Sequence, residues 1–272
     1  MGSNLLEDDI EAVLTETLSE AGETVYAVNP DRSVIEDIVE QMTHEEETAS
    51  VRLLADERLI KDVMNDFLVA SKAADLVDAG RLEMRVLEDA PNHSLLVTDA
   101  TVVSLVEAGG RVAGLTADDA EFVGDVRAAY ADTWDHSDEY SLRTPPLTKV
   151  QTTLESDIGP DAATDFDDVL TSLGTARGDG DGLDEVTISL LVAARNEELL
   201  YDISKWGEDI GLASKATFSR TKTTLEEMGL IETEKVPIDV GRPRLRLMLG
   251  DDRLADTDID ELAGVAQGLL AA

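Results

Sequence analysis

The sequence predicts an α/β amino-terminal domain, a mixed sheet with flanking helices, followed by a helical domain that closes in a two-stranded hairpin. Three observations lead there. Between residues 24 and 87, strand-length apolar runs alternate with helix-length amphipathic runs, which implies parallel strands with helices on the faces of a sheet. Between residues 94 and 115, three short runs follow one another with only turn residues between them, which adds an antiparallel meander. From residue 184 the chain reads helix, helix, turn, helix and then paired strands, and there the distribution of charge changes.

In order along the first half, Leu5 to Ala21 is expected to be a helix, with Leu5, Ile10, Val13, Leu14 and Leu18 as its stripe and Gly22 as its stop. Thr24 to Val28 reads as a strand. Asn29-Pro30-Asp31 punctuates it, and Asp31 or Ser33 caps a helix reaching Met42. Ala49 to Ala55 is a second strand, Asp56 to Ala79 a single long helix ending at Gly80, and Leu82 to Leu87 a third strand. Ser94 to Val97, Thr101 to Glu107 and Arg111 to Leu115 form the meander, turning at Thr98-Asp99-Ala100 and Gly109-Gly110. Asp118 to Asp138 closes the domain as a helix with Phe122, Val126, Ala129, Tyr130 and Trp134 inward.

Pro145-Pro146 marks the exit from this domain, placed at residues 1–146. A helical connector and flexible linker follow at 147–183, with a helix over Pro160 to Leu173 and a Gly/Asp-rich run at Asp179-Gly180-Asp181-Gly182. The third segment, 184–250, begins with a helix from Asp184 to Arg195 and a second from Leu200 to Ile210. Gly211-Leu212-Ala213-Ser214 is a turn with Ser214 as N-cap, because its hydroxyl accepts from the free N–H groups of the next turn. A helix from Lys215 to Met228 follows, with Phe218, Leu225 and Met228 inward and Thr221 or Lys222 filling the gap between them. Gly229 ends it. The hairpin turns at Gly241-Arg242-Pro243, and Arg244 to Met248 alternates basic and apolar residues as a half-buried strand does. In the last segment, 251–272, Asp256 to Ala271 is an apolar-faced helix that either pairs with a second copy or docks on its own chain.

Charge singles out the third segment. The chain carries 59 acidic and 22 basic residues, for a net charge of −37. Residues 200–250 hold eight of each and are neutral, so the whole excess lies elsewhere. Residues 211–224 contain Lys215, Arg220 and Lys222 and no acid; residues 240–249 contain Arg242, Arg244 and Arg246 and no acid. Such segments in so acidic a chain imply a surface that meets an anion. Lysine supplies 7 of the 22 basic residues, a composition similar to that of halophile proteins. At molar salt the Debye length is about 3 Å, so repulsion between the acidic surface and a phosphate backbone is short-ranged.

Other chemistry is not supported. No run of eighteen apolar residues is long enough to span a membrane, and the acidic start lacks the basic region of a secretory signal. The absence of Cys fits a cytoplasmic protein and removes thiolate metal sites. The Asp179 run fails as a calcium loop, with Leu183 at the fifth position, Asp184 at the sixth and Leu190 at the twelfth. His44, His93 and His136 are dispersed. There is no Walker-type loop and no G-x-S-x-G elbow, and neither an enzyme nor a cofactor is expected.

Helix, turn, helix and hairpin is the order of a winged helix-turn-helix, and "SKATFSRTKTTLEEMGLIE" resembles its recognition helix, except that Lys222 or Thr221 stands where that family has an aliphatic residue. The stretch from His93 to Trp134 resembles the second part of a phospholipase-D-like half-domain, but Leu95 replaces the phosphate-binding Lys and Ala100 the Asp. Degenerate forms of that domain serve as effector or dimerisation domains in archaeal regulators of the TrmB family. The whole chain, from "MGSNLLEDDI" to "GRPRLRL", resembles the haloarchaeal TrmB-suppressor transcriptional regulators (TbsP). That resemblance implies a homodimeric, cytoplasmic, DNA-binding regulator of central carbon metabolism. Ser214, Lys215, Thr217, Ser219, Arg220 and Lys222 on the helix, and Arg242 and Arg244 on the wing, are the expected contacts to double-stranded DNA. The alternative is a metabolite-sensing or protein-interaction module that does not bind DNA, with a small-molecule effector near Asn29-Pro30-Asp31, Asp56 and Glu88.

Overall fold

The structure, a computed structural model, describes residues 5–7, 10–45, 48–88, 91, 93–108, 111–173, 176, 183–238 and 243–271. The chain divides into two compact units, one of residues 1–65 and 72–142, the other of residues 66–71 and 143–272. The Asp179–Gly182 run and Arg242 lie outside the described residues.

In the first unit the strands are β1 (Leu5–Glu7), β2 (Thr24–Val28), β3 (Ser50–Ala55), β4 (Leu82–Val86), β5 (Ser94–Val97), β6 (Val102–Ala108) and β7 (Arg111–Ala117). They form one sheet in the order β1-β7-β6-β5-β2-β3-β4. β2, β3 and β4 run parallel, while β2–β5, β5–β6, β6–β7 and β7–β1 are antiparallel pairs, so the expected mixed sheet is present. The helices are α1 (Ile10–Glu20), α2 (Arg32–His44), α3 (Glu57–Val63), α4 (Phe67–Asp78), whose residues up to Ser71 belong to the second unit, and α5 (Ala120–His136).

Three expectations need correction. Leu5–Glu7 is an edge strand, because β7 offers an open edge that pairs Leu5 with Gly114 and Glu7 with Val112. The long helix from Asp56 is broken in two. Asp56 caps α3, with its carboxylate accepting from Arg58 N and Leu59 N. Asp66, 3% exposed, restarts the chain as α4 by accepting from Leu68 N at 3.0 Å and from Ala176 N at 3.2 Å. Phe122, expected inward on α5, is 49% exposed, and Val123 takes its place in the core.

Strand alternation sorts the two faces. Val25, Ala27, Val51, Leu53, Leu82 and Met84 are buried on one. Right-handed crossovers between β2, β3 and β4 place α2, α3 and α4 over it. On the other, Tyr26, Val28, Leu54, Leu95, Val97 and Val102 pack against α5 through Val123 and Trp134. Tyr26 meets the edge of Trp134 at 6.2 Å, and the Arg85 guanidinium lies 4.8 Å over Trp134 while donating to the carbonyls of Trp134 and Ser137. Arg85 thereby satisfies the carboxyl end of α5, where the helix dipole favours a cation.

The second unit contains α6 (Leu147–Asp157), α7 (Pro160–Ser172), α8 (Glu185–Arg195), α9 (Leu200–Ile210), α10 (Lys215–Glu227), β8 (Ile231–Val236), β9 (Arg244–Leu249), α11 (Asp252–Ala255) and α12 (Ile259–Leu270). Every residue of α8 from Val186 to Ala194 is buried, so this helix is the axis of the unit. Phe166, Trp206 and Phe218 are the large side chains around it, and Trp206 Nε1 donates to Thr153 Oγ1 at 3.0 Å. Of the two roles open to the last helix, docking on its own chain is the one observed: Leu262, Ala263 and Ala266 of α12 are buried in the same core, and α12 packs on α7.

The closest helix contact is between α9 and α10. A Cβ at Gly207 would stand 2.4 Å and 2.5 Å from two ring atoms of Phe218, which is fully buried. Gly207→Ala is therefore expected to destabilise the second unit by about 1–3 kcal/mol through overpacking. Denaturant unfolding checks this, and combining Gly207→Ala with Phe218→Leu is expected to recover part of the loss.

Candidate nucleic-acid interface

The turn between α9 and α10 is built as the sequence implies. Gly211 takes φ +86°, and the N–H of Leu212 returns to Gly207 O at 2.8 Å. Ser214 caps α10, with its hydroxyl accepting from Thr217 N at 3.1 Å and lying 3.0 Å from Thr217 Oγ1. At the far end Gly229 takes φ +75°, and Leu230 N returns to Leu225 O at 2.9 Å. The chain then enters β8, paired antiparallel with β9 from Ile231↔Leu249 to Val236↔Arg244. β9 has a second neighbour: Leu199 bridges Arg246, and Leu247 N donates to Glu198 O at 2.8 Å. The hairpin is thus tied at its root to the segment just ahead of α9.

Phe218 and Leu225 are buried on the inner face of α10. Met228, expected with them, is 44% exposed because the helix ends before it and Leu230 takes its place in the core. The outer face carries Ala216, Ser219, Arg220 and Thr223, all exposed and none acidic, and an acid, the exposed Glu227, enters that face only at the last residue of the helix. Arg220 has no ion pair among the described residues. Ala216 and Thr223 were not singled out from the sequence; they become visible once Phe218 and Leu225 fix the inner face, since Ala216 and Thr223 flank Arg220 at helical spacing.

The other cations are held. Lys215 Nζ lies 2.6 Å from Glu208 of α9, at a half-exposed site. That hydrogen bond raises the Lys215 ammonium and lowers the Glu208 carboxyl, so the contact persists at neutral pH and is lost as pH falls through the lowered Glu208 value or rises through the raised Lys215 value. Lys222 is 12% exposed and pairs with Glu226 at 2.7 Å, which also accepts from Thr233 of β8 at 2.7 Å. Burial raises the Glu226 carboxyl, but the bonds from Lys222 and Thr233 outweigh it and leave it lowered. Lys222 therefore fills the inner-face gap where an aliphatic residue is usual, using its methylene stem, and is not presented outward. On the hairpin, Arg244 bonds Asp202 at 3.1 Å and stacks 4.2 Å over the ring of Tyr201. Arg246 lies 3.6 Å from Glu234. Lys235 on β8 is exposed and has no ion pair among the described residues, a cation that charge counting alone did not distinguish.

Two concavities of the first unit are lined by described residues. One, of about 440 Å³, lies past the end of β4 and is lined by Glu88, Tyr130, Thr133, His136 and Asp138. Asn29 and Asp56, expected beside it, do local work: Asn29 Nδ2 donates to Pro91 O at 2.6 Å, and Asp56 caps α3. The other is an apolar groove of about 680 Å³ between α5 and the meander, with His93 at its rim and Leu95 in its wall. Among the described residues no cluster of three His, Asp or Glu is placed to hold a metal, and no helix is long and apolar enough to cross a membrane.

Two protein-family models match the chain. The amino-terminal model of "Transcriptional regulator TbsP-like" matches residues 2–145, and its carboxy-terminal helix-turn-helix model matches residues 146–267. A search of curated proteins found no match. Among solved structures, TrmBL2, an archaeal chromatin protein described as showing a novel mode of DNA binding, is similar at 18% identity with a TM-score of 0.36, covering 51% of this chain and 53% of that one. The chain thus spans about half the length of TrmBL2. A phospholipase D family member, Nuc from Salmonella typhimurium, is similar at 12% identity with a TM-score of 0.36, covering 51% of this chain and 97% of that one. Likeness at this level carries no weight beside the family models.

Loss of the Ser214 cap frees a helix N–H at the start of α10. Ser214→Ala is expected to cost about 1 kcal/mol in denaturant unfolding, and Ser214→Asp to retain most of the stability.

Proposed function

The chain belongs to the TbsP-like transcriptional regulators, and from that premise we propose that it is a homodimeric, sequence-specific DNA-binding protein working at high salt. The observation that carries the reading is the outer face of α10 from Ala216 to Thr223: an exposed, acid-free surface on which Arg220 has no ion pair among the described residues, in a chain of net charge −37. In this reading α10 lies in the major groove with Ala216, Ser219, Arg220 and Thr223 toward base edges. Thr217 and the capping turn at Ser214 stand near the backbone. Arg242 and Arg244 of the wing meet phosphates or the minor groove.

The ion pairs shape how binding occurs. Lys215 and Arg244 rest on Glu208 and Asp202, and half-exposed pairs of this kind are weak, more so in salt. Exchanging a carboxylate for a phosphate is then nearly balanced. Counterion release contributes little at molar salt, because that contribution scales with the logarithm of salt concentration. Affinity rests instead on hydrogen bonding and shape. The acidic, lysine-poor composition supports a halophilic archaeal origin, and the resemblance to TrmB-suppressor regulators supports central carbon metabolism as the target.

A second reading, compatible with the first, places a small-molecule effector in the cavity past β4, where Glu88, Thr133, His136 and Asp138 offer polar groups. Thermal stability against sugars and sugar phosphates tests it, with no shift across the panel counting against a sensor there.

Genome-wide crosslinked DNA capture in the native host supplies the operator for gel shifts. Arg220→Ala is expected to weaken operator binding by about 1–3 kcal/mol and to relax sequence preference. Glu208→Gln, which frees Lys215, is expected to tighten binding. Unchanged affinity in both folded variants would remove this face of α10 from the interface.

A further inference from the structure

One face of the seven-stranded sheet carries a single helix. Seven strands at about 4.8 Å spacing make a sheet roughly 30 Å wide, and a helix with its side chains is about 10–12 Å across. α5 cannot cover it. Toward β3 and β4 the remainder is screened by arginines: Arg52 lies 5.3 Å over Trp134 and bonds Tyr26 Oη and Glu83, and Arg85 stacks on the other side. Toward β6 and β7 no arginine stacks on a ring among the described residues, and Arg111 stands at the far end of β7 on the face of Ala113, Leu115 and Ala117. The register pairs Val102 with Ala117, Ser104 with Leu115 and Val106 with Ala113, so these six side chains share that face. Val106 is 43% and Leu115 47% exposed. The adjoining edge of α5 adds Phe122, 49% exposed, and between them runs the 680 Å³ groove, none of whose lining residues carries a carboxylate.

We infer that this strip is the two-fold interface of the homodimer, with Phe122 of each copy seated against Val106 and Leu115 of its mate. The inference rests on the homodimer of the proposed function and names its contact surface. Charge selects the partner. At contact distance, within the screening length of about 3 Å in molar salt, the carboxylate-rich surfaces of two chains of net charge −37 still oppose each other, and a strip without carboxylates is where one can meet a copy of itself. A cationic partner would be met by carboxylates, and this strip has none. Shape agrees: an isologous contact needs a patch that holds both projection and recess, and here a projecting ring stands beside an apolar groove. A contiguous apolar surface rimmed by polar residues is also the usual mark of a protein contact.

The test is light scattering on the full-length protein in molar KCl. Wild type is expected at twice its 29.3 kDa chain mass. Leu115→Glu and Phe122→Glu are expected at the single-chain mass with unchanged circular dichroism, since both positions are exposed. Val77→Glu, at an exposed apolar position on α4, is expected to remain dimeric. A monomeric wild type overturns the inference, as does a dimer that survives both substitutions in the strip. A monomer whose melting temperature rises with an apolar small molecule, but not in Leu115→Glu, overturns it in favour of a ligand site. Gel shifts on the same samples separate the two readings. A wild type that binds operator while Leu115→Glu stays dimeric leaves the regulator standing and moves the interface elsewhere. A folded wild type that binds no captured DNA overturns the regulator whatever its mass.

Discussion

The constraint on which both units depend is a surplus of carboxylates that must remain in water. With 59 acidic residues against 22 basic ones, most cannot be paired, and a buried, unpaired carboxylate is costly. The clearest exception among the described residues is Asp66, and it accepts two backbone N–H bonds. Every helix must therefore turn its acids outward, and cores are filled with Leu, Val, Ile and Ala around a few rings. Acid-free surfaces are then informative in a way they would not be on a balanced protein. The outer face of α10 up to Thr223 and the β6–β7 strip are two such surfaces, one polar and one apolar, and they suit different partners.

The scarce cations follow a related logic. Arg85 and Arg81 donate to backbone carbonyls at α5 and at the end of α2, and Arg52 and Arg127 lie over the Tyr26 ring. These arginines act through planar stacking and directed donors, which a lysine does not supply. In the second unit Lys215, Lys222 and Arg244 are each matched by a carboxylate from a neighbouring turn or element. Much of the local neutrality of residues 200–250 is thus realised in pairs, though not at Arg220 or Lys235, and the segregation of sign seen along the chain is partly undone in space. Arg220 is where it survives.

What was legible in the sequence was local. The Gly211–Ser214 turn, the Gly229 stop, the apolar runs of β2, β3 and β5 and the basic/apolar alternation of β9 each depend on residues within a few positions, and each formed as read. What was not legible depends on distant partners. Leu5–Glu7 is a strand only because β7 has an open edge. The break between α3 and α4 involves Ala176, 110 residues away from Asp66. Phe122 has a helical position that fits an inward stripe, but it lies on the flank of α5 that borders the open groove along the meander, and so stays half-exposed. Of the candidate DNA contacts, Lys222 shows the same limit: the sequence left it open between the inner-face gap and a contact to DNA, and Glu226 and Thr233 on the side of β8 decide for the gap.

The bridge between Leu199 and Arg246, together with the stacking of Arg244 on Tyr201, fastens the hairpin to the start of α9, while Gly207 lets Phe218 lock α10 against the end of the same helix. One rod therefore carries both arms of a calliper. Its opening is set when the protein folds and does not adjust to each target. Any accommodation between differently spaced sites must come from moving the calliper as a whole, which makes the joint that carries it, and not the jaws, the place where regulation would be felt.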